Sequence, residues 1–155
     1  MDRDAEFTLP RGATGFFRPK DGPLPETGRR AFRAALYTAA RAAGGRVGAS
    51  EEQAYPRTFH RAVVEGTDGC VVLRHAFHPW IVFVPDHWDA YSEEFLAPPP
   101  WAHAFADRGF TVLDHALLTR PLSEVASSVL TPGEWSEVRF YGITTLGGVL
   151  FNAWD

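Results

Sequence analysis

Apolar residues recur at helical spacing over residues 27–43, where Phe32, Leu36, Ala39 and Ala43 fall on one face. The spacing predicts a helix capped by Thr27, whose hydroxyl can accept an orphan N–H, and stopped by Gly44-Gly45. Arg30, Arg33, Tyr37 and Arg41 lie together on another face of it. The pattern then changes to strands. Phe59–Glu65 and Cys70–Phe77 are β-branched runs, and Gly66-Thr67-Asp68-Gly69 between them reads as a hairpin loop. Trp80–Val84 is a third strand, set off by His78-Pro79. Connections this short join antiparallel strands, because a parallel crossover needs a dozen residues or more.

Beyond Pro85 the signals are shorter. Asp86 and Asp89 resemble a capping box, with Trp88, Tyr91 and Phe95 on one side of the helix that would follow. Pro98-Pro99-Pro100 forces extended backbone. The remaining pattern predicts a helix over Trp101–Arg108, a strand over Phe110–Leu118 and a helix over Ser123–Leu130. It continues with a strand over Trp135–Tyr141 and a last helix over Thr145–Trp154 that Gly147 and Gly148 weaken. Residues 1–25, broken by Pro and Gly, read as an irregular arm that Phe16 and Phe17 could pin to the body. The sum is a single α+β domain over residues 1–155. Its sheet is mainly antiparallel with about five strands, and its helices pack mostly on one face.

Composition agrees with a globular chain. At 155 residues, 45% hydrophobic and 22% charged, it can bury a core without a disulfide or a structural metal. Cys70 is the single cysteine, so no internal disulfide forms and no oxidising compartment is needed. The first residues carry acids where a secretory leader needs bases, and no apolar run is long enough to span a bilayer. A cytoplasmic protein is the expectation, with no membrane partner. The net charge of −4 is unevenly spread. Residues 1–50 hold nine Lys/Arg and five Asp/Glu (+4), and residues 51–155 hold six and fourteen (−8), so two electrostatically different faces are expected.

No P-loop, dinucleotide fingerprint, HExxH, CxxC or GxSxG is present, and no cofactor is implied. Arg74-His75, His78, Asp86-His87 and Asp89 bring imidazoles and carboxylates close in sequence, a donor set that suits Zn²⁺, Mn²⁺ or Fe²⁺. A small-molecule-binding protein or metal-dependent enzyme would use His75, His78 and His87 in a pocket walled by Trp80, Trp88 and Trp101. Against that, strand alternation places His75 with Val71, Leu73 and Phe77, as a histidine at the edge of the core. Asp114 and His115 are neighbours on a predicted strand and so point to opposite faces, which prevents them from pairing. Cys70 has no cation beside it to activate a thiolate and reads as packing. The arginine-bearing helix face could touch phosphates, but the acidic total and the absence of a recognition motif disfavour nucleic acid.

The segment Asp86–Phe95 combines four acids and three large rings with no Lys or Arg. Aromatic anchors amid acids suit a basic protein partner, met first by steering and then by desolvated contact. The sequence therefore points first to a non-enzymatic protein-binding module. Its concrete form is an immunity or antitoxin-type inhibitor of a basic toxin, with Trp88, Asp89, Tyr91, Glu93 and Glu94 on the contact surface.

Overall fold

The apolar runs form the middle of a five-stranded sheet in the order β1–β2–β3–β4–β5. The strands are β1 (Arg46–Glu51), β2 (Phe59–Glu65), β3 (Cys70–His75), β4 (Trp80–Val84) and β5 (Thr111–Val112). The computed structural model describes residues 28–52, 58–66, 69–76, 78–88, 93–122, 132–140 and 142–151. The irregular arm, Thr27, Phe77, the helix expected over 123–130 and most of the acidic segment's centre lie outside the described residues. The first four strands are antiparallel neighbours, in registers that include Val64↔Cys70 and Val71↔Val84. β5 runs parallel to β4, with Trp80 opposite Thr111. The expected α+β class and the mostly antiparallel sheet are both present.

Every residue of β3 and β4 is buried, so both faces of the central sheet need a cover. Alternation sends Val72, Ile81 and Phe83 to one side, where α1 (Arg29–Ala42) and the short α2 (His103–Ala106) pack. It sends Val71, Leu73, Trp80, Val82 and Val84 to the other. That side is closed by α3 (His115–Leu118), α4 (Pro132–Phe140) and α5 (Leu146–Leu150). The helices expected mostly on one face are thus shared between two, because strands apolar on both sides cannot leave either one wet.

Two expected strands fold otherwise. Over Phe110–Leu118 only Thr111–Val112 is extended; Asp114 takes the N-cap position and His115–Leu118 turns helical, which brings Leu113, Leu117 and Leu118 into one cluster. Trp135–Tyr141 was expected to be a strand, yet Pro132–Phe140 is a helix. Pro132 occupies its first position, where a missing N–H costs nothing, and Trp135 and Val138 share the face toward the core. β1 has no apolar alternation to announce it; it is held by antiparallel pairing with β2, and at one end of that pairing Arg46 Nε donates to Glu65 at 2.9 Å.

The glycines mark the tight places. α1 ends as expected at Gly44, whose φ of 74° is left-handed. Gly44 N–H donates to Arg41 and Gly45 N–H to Ala40, the paired bonds that close a helix end. In α5, a Cβ on Gly147 would overlap the Phe95 ring and stand 3.0 Å from the Leu118 carbonyl. The helix can approach residues 93–95 only because that side chain is missing. Gly147→Ala is therefore expected to lower stability by about 1–3 kcal/mol, since neither an aromatic ring in the core nor a backbone carbonyl can move aside cheaply. A shifted urea midpoint at unchanged slope is the readout.

Candidate functional site

The sequence-predicted site residues scatter. His75 ends β3 with no exposure, its ring edge-on to Trp80 at 5.0 Å and to Phe151 at 5.7 Å. Its Nδ1 accepts the His78 backbone N–H at 3.2 Å, and the His78 ring stacks on Trp80 at 4.5 Å. His75 and His78 are thus brought together inside an aromatic cluster. His87 is not with them: it follows β4, and the register Arg74↔Ile81, Val71↔Val84 puts that end of β4 at the opposite end of β3. There His87 Nε2 lies 3.0 Å from Glu94 Oε2 in an exposed pair. Trp101 packs against Phe83 on the α1 side of the sheet, so the three tryptophans do not wall one pocket. Among the described residues no group of three His, Cys, Asp or Glu could hold a metal ion.

The surface expected to meet a basic partner is also rearranged. Trp88 is 4% exposed and packs edge-on to Phe59 at 5.3 Å, so it is core rather than anchor. Glu93 turns toward α5, where one carboxylate oxygen accepts Thr144 N–H at 3.2 Å, Thr145 N–H at 3.0 Å and the Thr145 hydroxyl. Thr145 Oγ1 in turn accepts Gly148 N–H at 3.2 Å, so Glu93 and Thr145 together satisfy the start of that helix. Glu94 is exposed, and Asp89 and Tyr91 lie outside the described residues. Asp114 and His115 stand exposed at the start of α3.

What the fold does assemble is a groove of about 280 Å³ between α1 and the β1 side of the sheet. Arg29, Arg33 and Tyr37 recur every fourth residue along one side of α1 and form its near wall. Val47, Gly48, Ser50, Glu51 and Glu52 form the far wall. His60 and Arg74, directly opposite each other in the β2–β3 register, line it from the sheet, while Arg61, next in β2, sends its side chain to the opposite face. Arg74 is 3% exposed, and its guanidinium carbon lies over the Phe32 ring, 4.8 Å from its centroid, in a cation–π contact. Arg29, Arg33 and Arg74 against Glu51 and Glu52 give the lining a formal charge of +1. The Arg29–Glu52 pair, at 3.5 Å between largely exposed side chains, is of the kind that contributes little.

No protein-family model matches the chain, and no characterised protein or solved structure is significantly similar to it.

The groove was partly visible in the sequence. Arg33 and Tyr37 share a helix face whose arginines could touch phosphates, a reading that the acidic total disfavours, and Arg74 stands out there only beside His75. An arginine inside an otherwise apolar strand was the available signal, since such a charge is rarely buried without a purpose in packing or binding. Its partnership with His60 depends on strand register, which the sequence does not state.

Cys70, 6% exposed at the start of β3, is packing as expected. Burial, with repulsion from Asp86 second, pushes its thiol up from 9.0 to about 11. The unfolded chain therefore ionises near pH 9 while the folded one keeps its proton, so this contribution to stability is whole below pH 9 and is lost as pH rises toward 11. Urea midpoints across that window should fall less steeply for Cys70→Ala than for the parent. Glu93→Ala should cost about 1–3 kcal/mol by the same measurement, as expected for a carboxylate that accepts several backbone and hydroxyl donors.

Proposed function

We propose that this is a non-enzymatic binding protein whose ligand is a small anion held in the groove between α1 and β1–β3. One observation carries the reading: Arg74, buried to 3% exposure, sits in the lining of an open groove together with Arg33. A guanidinium in such a place meets an anion where water screens little, and its planar fork suits phosphate and carboxylate oxygens. The volume, about 280 Å³, suits a small molecule rather than a folded partner. The charge distribution supports the same choice, because the basic half of the chain supplies α1 and most of β1.

This reading keeps the binding function but reverses the sign of the partner expected from the acidic segment. Among the described residues of that segment, Trp88 is core and Glu93 holds α5, which leaves Asp86 and Glu94 as its exposed acids. No helix among the described residues is long and apolar enough to cross a membrane, and nothing in the reading calls for one.

Titration with inorganic phosphate, followed by amide chemical shifts, tests the proposal. The expected shifts cluster on residues 32–37, 50–52, 60–61 and 74. Arg33→Ala, an exposed change that spares the core, should weaken binding about tenfold, the effect of losing one charge-assisted hydrogen bond. Shifts scattered over the surface, or binding indifferent to Arg33, would refute the groove as the site.

A further inference from the structure

The groove has two chemically different ends. Glu52, just beyond β1, lies 3.5 Å from Arg29 at the start of α1, while Arg46 opens β1 four residues after α1 ends. β1 therefore runs back along the helix, and Val47 and Gly48 lie toward the later turns of α1. At the early end exposed Arg33 shares the lining with Arg74 and His60, which are paired in the sheet. At the later end lies Tyr37, one turn beyond Arg33, with Val47 and Gly48 in the same lining. The Tyr37 ring is 53% exposed, one of two large hydrophobic side chains so exposed among the described residues, and it lies in the groove lining. The rise from Arg33 to Tyr37 is about 6 Å along the helix, a spacing that one molecule can bridge with an anion at one end and a ring at the other.

We infer that the ligand is a phosphate-bearing molecule with a planar ring, the phosphate taken by Arg33 and Arg74 and the ring stacked on Tyr37. The inference rests on the anion-binding reading above and adds the ring to it. Phosphate oxygens match the guanidinium forks, and Arg74 already lies over the Phe32 ring. A ring on Tyr37 gains stacking without needing a specific hydrogen-bond pattern, so selection by the ring is for flatness rather than for one base.

Titration of the full chain with adenosine 5′-monophosphate, ribose 5-phosphate and adenosine separates the two parts. The nucleotide should bind about tenfold more tightly than ribose 5-phosphate, the scale of one stacked ring. Tyr37→Ala should abolish that advantage and leave ribose 5-phosphate affinity unchanged, whereas Tyr37→Phe should preserve it. Equal affinity for the two phosphates, or an advantage that survives Tyr37→Ala, overturns the ring inference and leaves the anion site standing. Binding of neither phosphate overturns the anion site as well. Adenosine binding as tightly as its phosphate would show that the ring is recognised without the arginines, and so overturns the two-ended arrangement.

Discussion

The need to keep water from both faces of β3 and β4 governs the rest of the structure. All eleven positions of the two strands, Cys70–His75 and Trp80–Val84, are buried, and a twisted pair of strands cannot cover itself. One cover is supplied by α1, whose Ala35, Ala39 and Ala40 allow the helix to lie close. The segment after β4 then serves both faces in turn. Trp88 and Phe95 pack on the side of Val82, Trp101 and Phe105 on the side of Phe83, and Leu113 and Leu117 on the first side again. To do so the chain rounds the free edge of β4, where Leu96 N–H donates to Phe83 at 2.8 Å and Thr111 N–H to Pro79 at 2.7 Å. The parallel placement of β5 follows, since this return is long enough for a crossover.

The same constraint places Arg74. In β3 the positions facing α1 are Cys70, Val72 and Arg74, and the last of these comes opposite the first turns of the helix. There Phe32 supplies a ring face instead of an aliphatic contact, and His60 supplies a polar neighbour across the strand pair. A charge is thus accommodated within a layer that is otherwise apolar. It sits beside an edge strand whose side chains are mostly exposed.

Continuous apolar strands and a strongly periodic helix are legible without coordinates, which is why β2 and β4 match their expected bounds and α1 lies within two residues of them. Short elements are not, because a run such as Phe110–Leu118 is compatible with a strand or a helix until its neighbours decide. At the site, residue chemistry drew attention to Trp88 and Glu93, and burial then assigned both to the structure: one to the core, the other to the start of α5. Residue type says what a side chain can do, whereas its direction belongs to the packing. Arg74 and His60 show the converse, because their pairing exists only once β2 and β3 are in register.

An acidic protein with an anion groove is no contradiction. Net charge sets the long-range field, which salt screens within about 10 Å, whereas the groove acts at contact. The two glutamates there temper rather than cancel the arginines. Glu52 holds Arg29 in an exposed pair that water weakens, so an incoming anion displaces it at small cost. On the proposed reading Arg74 differs, because it is buried beneath Phe32 and its charge is screened less by water, so it, more than the surface pair, would set the affinity for an anion.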